Sequence, residues 1–206
     1  MDTIIGTSPV IAVLRAPDAQ DYEPVVETLV DNGVTTIELT LTTPRTLELL
    51  PALMAKFADR AHIGVGTVLN QQDAETALTA GSKFIIAPNF NEGVLKAAGE
   101  RYIPGVFSPT EVAHALAVGC KAVKIFPAQT VGAQYLKHLR GPFPGLQAIP
   151  SGGVDLAQAK EWIQAGSPAV SVGGPLLGDV FKSKDYSGLA ERTRNFVESI
   201  DSAKGA

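Results

Sequence analysis

A single-domain (β/α)8, or TIM, barrel is the α/β fold this sequence predicts, and three observations predict it. Short apolar runs of strand character alternate with helical patterns eight times along the chain. The helical stretches carry start and stop signals with a known mechanism. At 206 residues the chain is near the lower limit for eight such units, so the barrel is compact and its loops short.

In chain order, the strand candidates are Val10–Arg15, Thr36–Leu41, His62–Thr67, Phe84–Ala87, Tyr102–Val106, Ala122–Phe126, Gln147–Pro150 and Ala169–Gly173. Between them, Thr43-Pro44, Asn70 and Asp155 offer N-caps, and Ser108-Pro109-Thr110-Glu111 reads as a capping box with proline at the first helical position. Gly33, Gly81, Gly119 and Gly166 follow helical stretches, where a left-handed residue ends a helix. In the seventh helix Leu156, Ala159 and Ile163 share one face. The barrel is expected over residues 1–200, followed by a short polar tail over 201–206. An open doubly wound sheet is the alternative, but the Gly-x-Gly-x-x-Gly fingerprint after the first strand is missing.

Composition narrows the function. Hydrophobic residues are 45% and charged residues 18%, enough for a well-buried interior. A net charge of −4 without any Lys/Arg run gives no electrostatic case for nucleic acid or for an anionic membrane. One cysteine, Cys120, excludes an internal disulfide, and no apolar run approaches the ~20 residues of a membrane span. The expectation is a cytoplasmic protein.

The sixth strand contains a lysine, an ammonium in an otherwise buried run. Lysine is seldom buried without a partner or a task. Burial disfavours a charged amine, and the neutral amine is the form that makes a Schiff base with a ketone. Ile37, Leu39 and Leu41 share one face of the second strand, which turns Thr36, Glu38 and Thr40 into the barrel. Val123 and Ile125 likewise turn Ala122, Lys124 and Phe126 inward. Strands two and six lie across the barrel, so Glu38 and Lys124 can meet near its axis, as general acid/base and nucleophile or as a structural ion pair.

Ser151-Gly152-Gly153 and Gly173-Gly174 follow the last two strands, where such barrels commonly bind phosphate. A turn requiring positive φ explains either glycine pair equally well. Arg15 ends the first strand, able to bind an anion or to form a salt bridge on the rim. His62, His114 and His138 are too widely spaced for a metal site, and no metal or other cofactor is expected.

Five segments, Ile37–Thr43, Gly64–Asn70, Ile103–Glu111, Ala122–Ala128 and Gly141–Val154, resemble in order the class I 2-keto-3-deoxy-6-phosphogluconate (KDPG) / 4-hydroxy-2-oxoglutarate (KHG) aldolase family. The resemblance spans residues 8–200. It implies a (β/α)8 homotrimer that cleaves a phosphorylated 2-keto-3-deoxy sugar acid to pyruvate and glyceraldehyde 3-phosphate, without a cofactor. It also implies Lys124 as the Schiff-base lysine, Glu38 as general acid/base, and Thr67, Phe126 and Pro88 around the pyruvate pocket. Gly152, Gly153, Gly173 and Gly174 match its phosphate loops, and Arg15 matches a substrate-contacting arginine in part of the family. Three positions depart from the family pattern. Thr42 stands where an arginine is common, Ser151 replaces a frequent threonine but keeps a substrate-site hydroxyl, and the loop after the last strand reads Gly173-Gly174-Pro175 where a serine is frequent after the first glycine. Ala87-Pro88-Asn89 is similar to the 2-keto-3-deoxy-6-phosphogalactonate (KDPGal) branch. Two further alternatives are a phosphate-binding isomerase or synthase barrel and a non-enzymatic phosphosugar-binding barrel.

Overall fold

The computed structural model describes residues 2–204. A short helix, α1 (Asp2–Ile5), precedes β1 (Val10–Leu14), and α2 (Tyr22–Asp31) returns the chain to β2 (Thr36–Thr40). The step repeats through α3 (Thr46–Lys56), β3 (His62–Gly66), α4 (Gln71–Thr79), β4 (Ile85–Ile86) and α5 (Glu92–Ala98). The fifth expected strand is split by Pro104 into β5 (Tyr102–Ile103) and β6 (Gly105–Val106), because proline has no N–H for the ladder. Then follow α6 (Pro109–Ala117), β7 (Val123–Ile125), α7 (Gln134–Arg140), β8 (Ala148–Pro150), α8 (Leu156–Gln164) and β9 (Val170–Val172). Two short helices, α9 (Gly174–Leu177) and α10 (Val180–Ser183), lead to the long α11 (Tyr186–Lys204).

All strand pairings are parallel, in two sheets rather than the one closed sheet expected. The larger has the order β5-β4-β3-β2-β1-β9 and the smaller β6-β7-β8. The chain itself joins them through Pro104, and an isolated parallel bridge between Ser151 and Ser171 links β8 to β9.

Two apolar clusters lie on opposite faces of the strands. Ile37, Leu39, Val123 and Ile125 belong to the larger cluster, packed with helix residues such as Leu29, Leu50 and Trp162. Ile11, Phe84, Ile86, Ile103, Ala122, Ile149 and Ala169 form the other, with Ile4 and Ile5 of α1 beside them. Strand alternation is therefore obeyed on both faces. Lys83, just before β4, is exposed.

The expected caps form at Asn70, Asp155 and Ser108, the last two as complete capping boxes. Gly33, Gly81, Gly119 and Gly166 all have positive φ. Thr43-Pro44 does not start α3. The helix begins three residues later, with Arg45 at φ 62 as N-cap, because the Thr43 hydroxyl is engaged by the Ala16 amide. Residues 201–204 are not a separate tail either: they end α11, where Ile200 and Ala203 bury an apolar stripe. Residues 205–206 lie outside the described residues.

His62 fastens α1 to this frame. Its Nε2 lies 2.7 Å from the Ile4 carbonyl, and its ring stacks on Phe84. Burial pushes the imidazole below its ordinary value near 6.5, against the opposing pull of the Ile4 carbonyl. The unfolded chain therefore binds this proton more readily than the folded one. Stability is highest above about pH 6.5 and falls as the pH drops through it. Urea midpoints at pH 7.5 and 5.5 should differ in this sense for the wild type and differ less for His62→Gln; an unchanged difference would contradict the assignment.

Candidate active site

Glu38 occupies the centre of β2, completely buried, and Lys124 the centre of β7 with 7% exposure. Lys124 Nζ donates to Glu38 Oε1 across 3.5 Å and lies 5.6 Å from the centre of the Phe126 ring. The second carboxylate oxygen, Oε2, has no hydrogen-bond partner among the described residues. An amine and a carboxylate are thus desolvated together, and half the carboxylate's hydrogen-bonding capacity is unused.

Gly66 makes room for this carboxylate. A methyl group at Gly66 would overlap Glu38 Oε1. Gly66 pairs with Thr40 in the β2–β3 register, beside Glu38. Gly66→Ala should therefore displace Glu38 and lower kcat by about 10²-fold or more, within the range for loss of a positioned acid/base. Full activity in that variant would show that the Glu38 position is not critical.

The couple opens onto a cavity of ≈ 590 Å³, of the size that small metabolites use. Every residue expected in the site lines it. Arg15, Thr67, Pro88, Phe126 and Ser151 are in its wall with Glu38 and Lys124, as are Gly152, Gly153, Gly173 and Gly174. The rim salt bridge considered for Arg15 is not formed: among the described residues its guanidinium makes neither an ion pair nor a hydrogen bond, and it is exposed at the cavity mouth. Thr67 adopts φ 61, a left-handed conformation that a β-branched residue rarely takes and that marks functional loops. Gly152 and Gly153 have φ 90 and 75, and a Cβ at Gly152 would press on the Phe126 ring. Positive φ and close neighbours thus both call for glycine at this pair, which lines the cavity.

Thr42, at the departure from the family pattern, does not itself line the cavity and donates its hydroxyl to Oγ1 of the wall residue Thr40 at 3.1 Å. The arginine of that loop, Arg45, is held elsewhere, its Nε 2.9 Å from Asp18 Oδ2. This contact holds the Asp18 carboxyl below the usual range.

Sequence reasoning turned Thr40 inward without assigning it to the site, and it missed several other wall residues. Val13 and Ser171 are readable from the same alternation that gave Glu38 and Lys124. Leu177 and Phe181 also line the cavity. They come from α9 and α10, which interrupt the strand–helix rhythm and carry no periodic signal. Among the described residues, no three or more His, Cys, Asp or Glu side chains are gathered as a metal would require.

A parallel α/β scaffold with a buried amine–carboxylate couple beneath a metabolite-sized cavity fits the class of enzymes that do lysine-dependent carbonyl chemistry. Comparison with known proteins narrows the class. The family described as KDPG and KHG aldolase matches residues 1–191. The KHG/KDPG aldolase of Escherichia coli strain K12 is 32% identical over 203 residues, which is 96% of this chain and 94% of the relative. A native KDPGal structure superposes with a TM-score of 0.89 at 28% identity, covering 97% of both chains. The KDPG aldolase of Legionella pneumophila, solved with pyruvate captured at low pH as a covalent carbinolamine, superposes at 0.87 with 29% identity, covering 94% of this chain and 96% of that one. The chain belongs to the KDPG and KHG aldolase family, and it is a carbon–carbon lyase of that type.

Proposed function

We propose that the protein cleaves 2-keto-3-deoxy-6-phosphogluconate reversibly to pyruvate and glyceraldehyde 3-phosphate through a Schiff base on Lys124. The observation that carries this reading is the buried Lys124–Glu38 couple, 3.5 Å apart, in the wall of a cavity reached by Arg15 and both glycine loops.

The chemistry follows from these groups. The neutral amine of Lys124 attacks the C2 ketone, forming a C–N bond while the carbonyl oxygen becomes a carbinolamine hydroxyl. Loss of water gives an iminium, which serves as an electron sink. Glu38 takes the proton of the C4 hydroxyl, the C3–C4 bond breaks, and its electron pair moves into an enamine. Protonation at C3 and hydrolysis then release pyruvate and restore the lysine. Phe126 and Thr67 flank the pyruvyl unit, Pro88 walls it, and Ser151 offers a hydroxyl to the substrate. Gly152, Gly153, Gly173 and Gly174 receive the phosphate on bare backbone, and Arg15 attracts the anionic substrate into the mouth. No metal or organic cofactor enters this sequence.

A single closed (β/α)8 barrel is the architecture proposed with this reading, supported by the junction of the two sheets at Pro104 and by the Ser151–Ser171 bridge. A cytoplasmic homotrimer is the assembly proposed with it. The likeness to the KDPGal structure, together with Ala87-Pro88-Asn89 and Thr42, favours a second substrate, the C4 epimer derived from galactonate. KHG, cleaved to pyruvate and glyoxylate, is the smaller substrate the same site would admit. Measured kcat/KM values on the two phosphorylated epimers should favour the gluconate form. A preference for the galactonate form would replace this assignment with the second reading, and no pyruvate from either would remove both.

A further inference from the structure

Beyond the residues assigned above, the Ser171 hydroxyl is a buried polar group with no structural task. Ser171 lies in β9 with 2% exposure, and its Oγ has no hydrogen-bond partner among the described residues. It shares that property only with Glu38 Oε2 among the buried side-chain atoms described, and both residues line the same cavity. A hydroxyl withdrawn from water without a partner is costly, so native proteins seldom keep one unless something else uses it.

The strand register explains why the two orphans belong together. Ser171 pairs with Ile11, and Ile11 with Thr36. Eight strands with a shear of eight offset a horizontal layer by about one residue per strand, so the residue of β2 level with Ser171 is Glu38. On the other side Ser171 bridges Ser151. Continuing the β7–β8 register by one residue aligns Ser151 with Phe126, and the same offset makes Lys124 the level residue of β7. Applied from β2 through β3 to β4, it gives Ile86. In the proposed barrel, one layer therefore consists of Glu38, Ile86, Lys124 and Ser171. Lys124 faces Glu38 across the axis, and Ser171 stands between them on the β9 side, opposite apolar Ile86. The layers beneath include Ile11, Ile103, Ile149, Phe84, Ala122 and Ala169, and the polar Thr36 among them is engaged elsewhere, its hydroxyl donating to the Ile5 carbonyl at 2.6 Å.

We propose that Ser171 is a further catalytic residue, whose hydroxyl binds the C2 oxygen of the keto acid while that oxygen becomes the carbinolamine hydroxyl and departs as water. The inference rests on the Schiff-base reading. C2 becomes bonded to Lys124 Nζ, so its oxygen is formed at the level of this layer, within reach of a group in the same layer. The Ser171 hydroxyl donates to the oxygen as negative charge builds on it. One proton passes from the attacking amine to the oxygen, and a second completes the leaving water as the C–O bond breaks and the iminium forms. Glu38 serves as the proton carrier, and Ser171 ends the step unchanged.

The test is the rate at which borohydride traps pyruvate on the enzyme, compared for wild type, Ser171→Ala and Ser171→Thr, with melting temperatures alongside. Ser171→Ala is expected to trap about a hundred- to a thousandfold more slowly, the scale of losing one donor to a developing oxyanion. It should melt no lower than wild type, since it removes an unsatisfied buried group. Ser171→Thr, which keeps the hydroxyl, should recover much of the rate. Equal trapping rates for Ser171→Ala and wild type would overturn the assignment while leaving the Schiff base intact. So would slow trapping accompanied by a lower melting temperature, which would make the hydroxyl structural. Failure of the wild type to trap pyruvate would instead sink the Schiff-base reading itself.

Discussion

Lys124→Met is expected to reduce turnover by about 10⁴-fold or more, the scale on which enzymes lose an activated nucleophile. Methionine matches the length of the lysine stem and removes only the amine, so a large loss isolates the chemistry from packing. The same substitution strips Glu38 Oε1 of its partner at 3.5 Å when Oε2 already has none. Removing one member of a buried pair typically costs about 3–5 kcal/mol. Adding Glu38→Leu to Lys124→Met should recover most of that stability without recovering activity, because a buried ion pair is often no more stable than apolar residues filling the same volume. Such a result would mean that the pair is kept for its reactivity. A double variant as unstable as Lys124→Met alone would instead mark the pair as a structural element. Urea unfolding of the two variants, read beside kcat, separates these outcomes.

Glu38→Gln is expected to lower kcat by about 10² to 10⁴-fold, the usual contribution of a positioned acid/base. The amide keeps the shape and a hydrogen-bonding oxygen for Lys124 but cannot accept the C4 proton. Pyruvate should still become attached to Lys124 in this variant, more slowly because Glu38 also carries protons while the iminium forms, whereas cleavage of the phosphorylated substrate nearly stops. That contrast separates the nucleophile from the proton carrier. If Glu38→Gln retains wild-type cleavage, the proton goes elsewhere and the assigned role is wrong.

Much of this site could be read from the amino-acid sequence, and the reason is geometric. Side chains in a strand alternate strictly between two faces. The apolar face of Thr36–Thr40 and that of Val123–Ile125 thus identify Glu38 and Lys124 as inward residues before any coordinates are considered. Capping chemistry is equally local, and Asn70, Ser108 and Asp155 all behave as their spacing predicts. Where tertiary contacts compete, the local reading fails. Thr43 has the composition of an N-cap, but its hydroxyl is taken by the Ala16 amide 27 positions away. Pro104 splits one strand into two because the ladder needs an N–H there. Helix α11 extends over a segment that looked like a polar tail, since Ala203 continues the buried face of Leu189, Phe196 and Ile200 into it. Gly66 was legible only as part of a family-like motif. That it is glycine because the Glu38 carboxylate fills the space of its side chain is a fact of packing between strands, which no single strand records.

The central claim is that Lys124 forms a covalent bond to the C2 carbon of pyruvate. Its most direct measurement is reduction of the enzyme with borohydride in the presence of pyruvate, followed by peptide mapping by mass spectrometry. A reduced pyruvyl adduct is predicted on the peptide containing Lys124, formed equally well in EDTA and absent from Lys124→Met. An adduct on a different lysine, or no adduct under conditions where the enzyme releases pyruvate from its substrate, would contradict it.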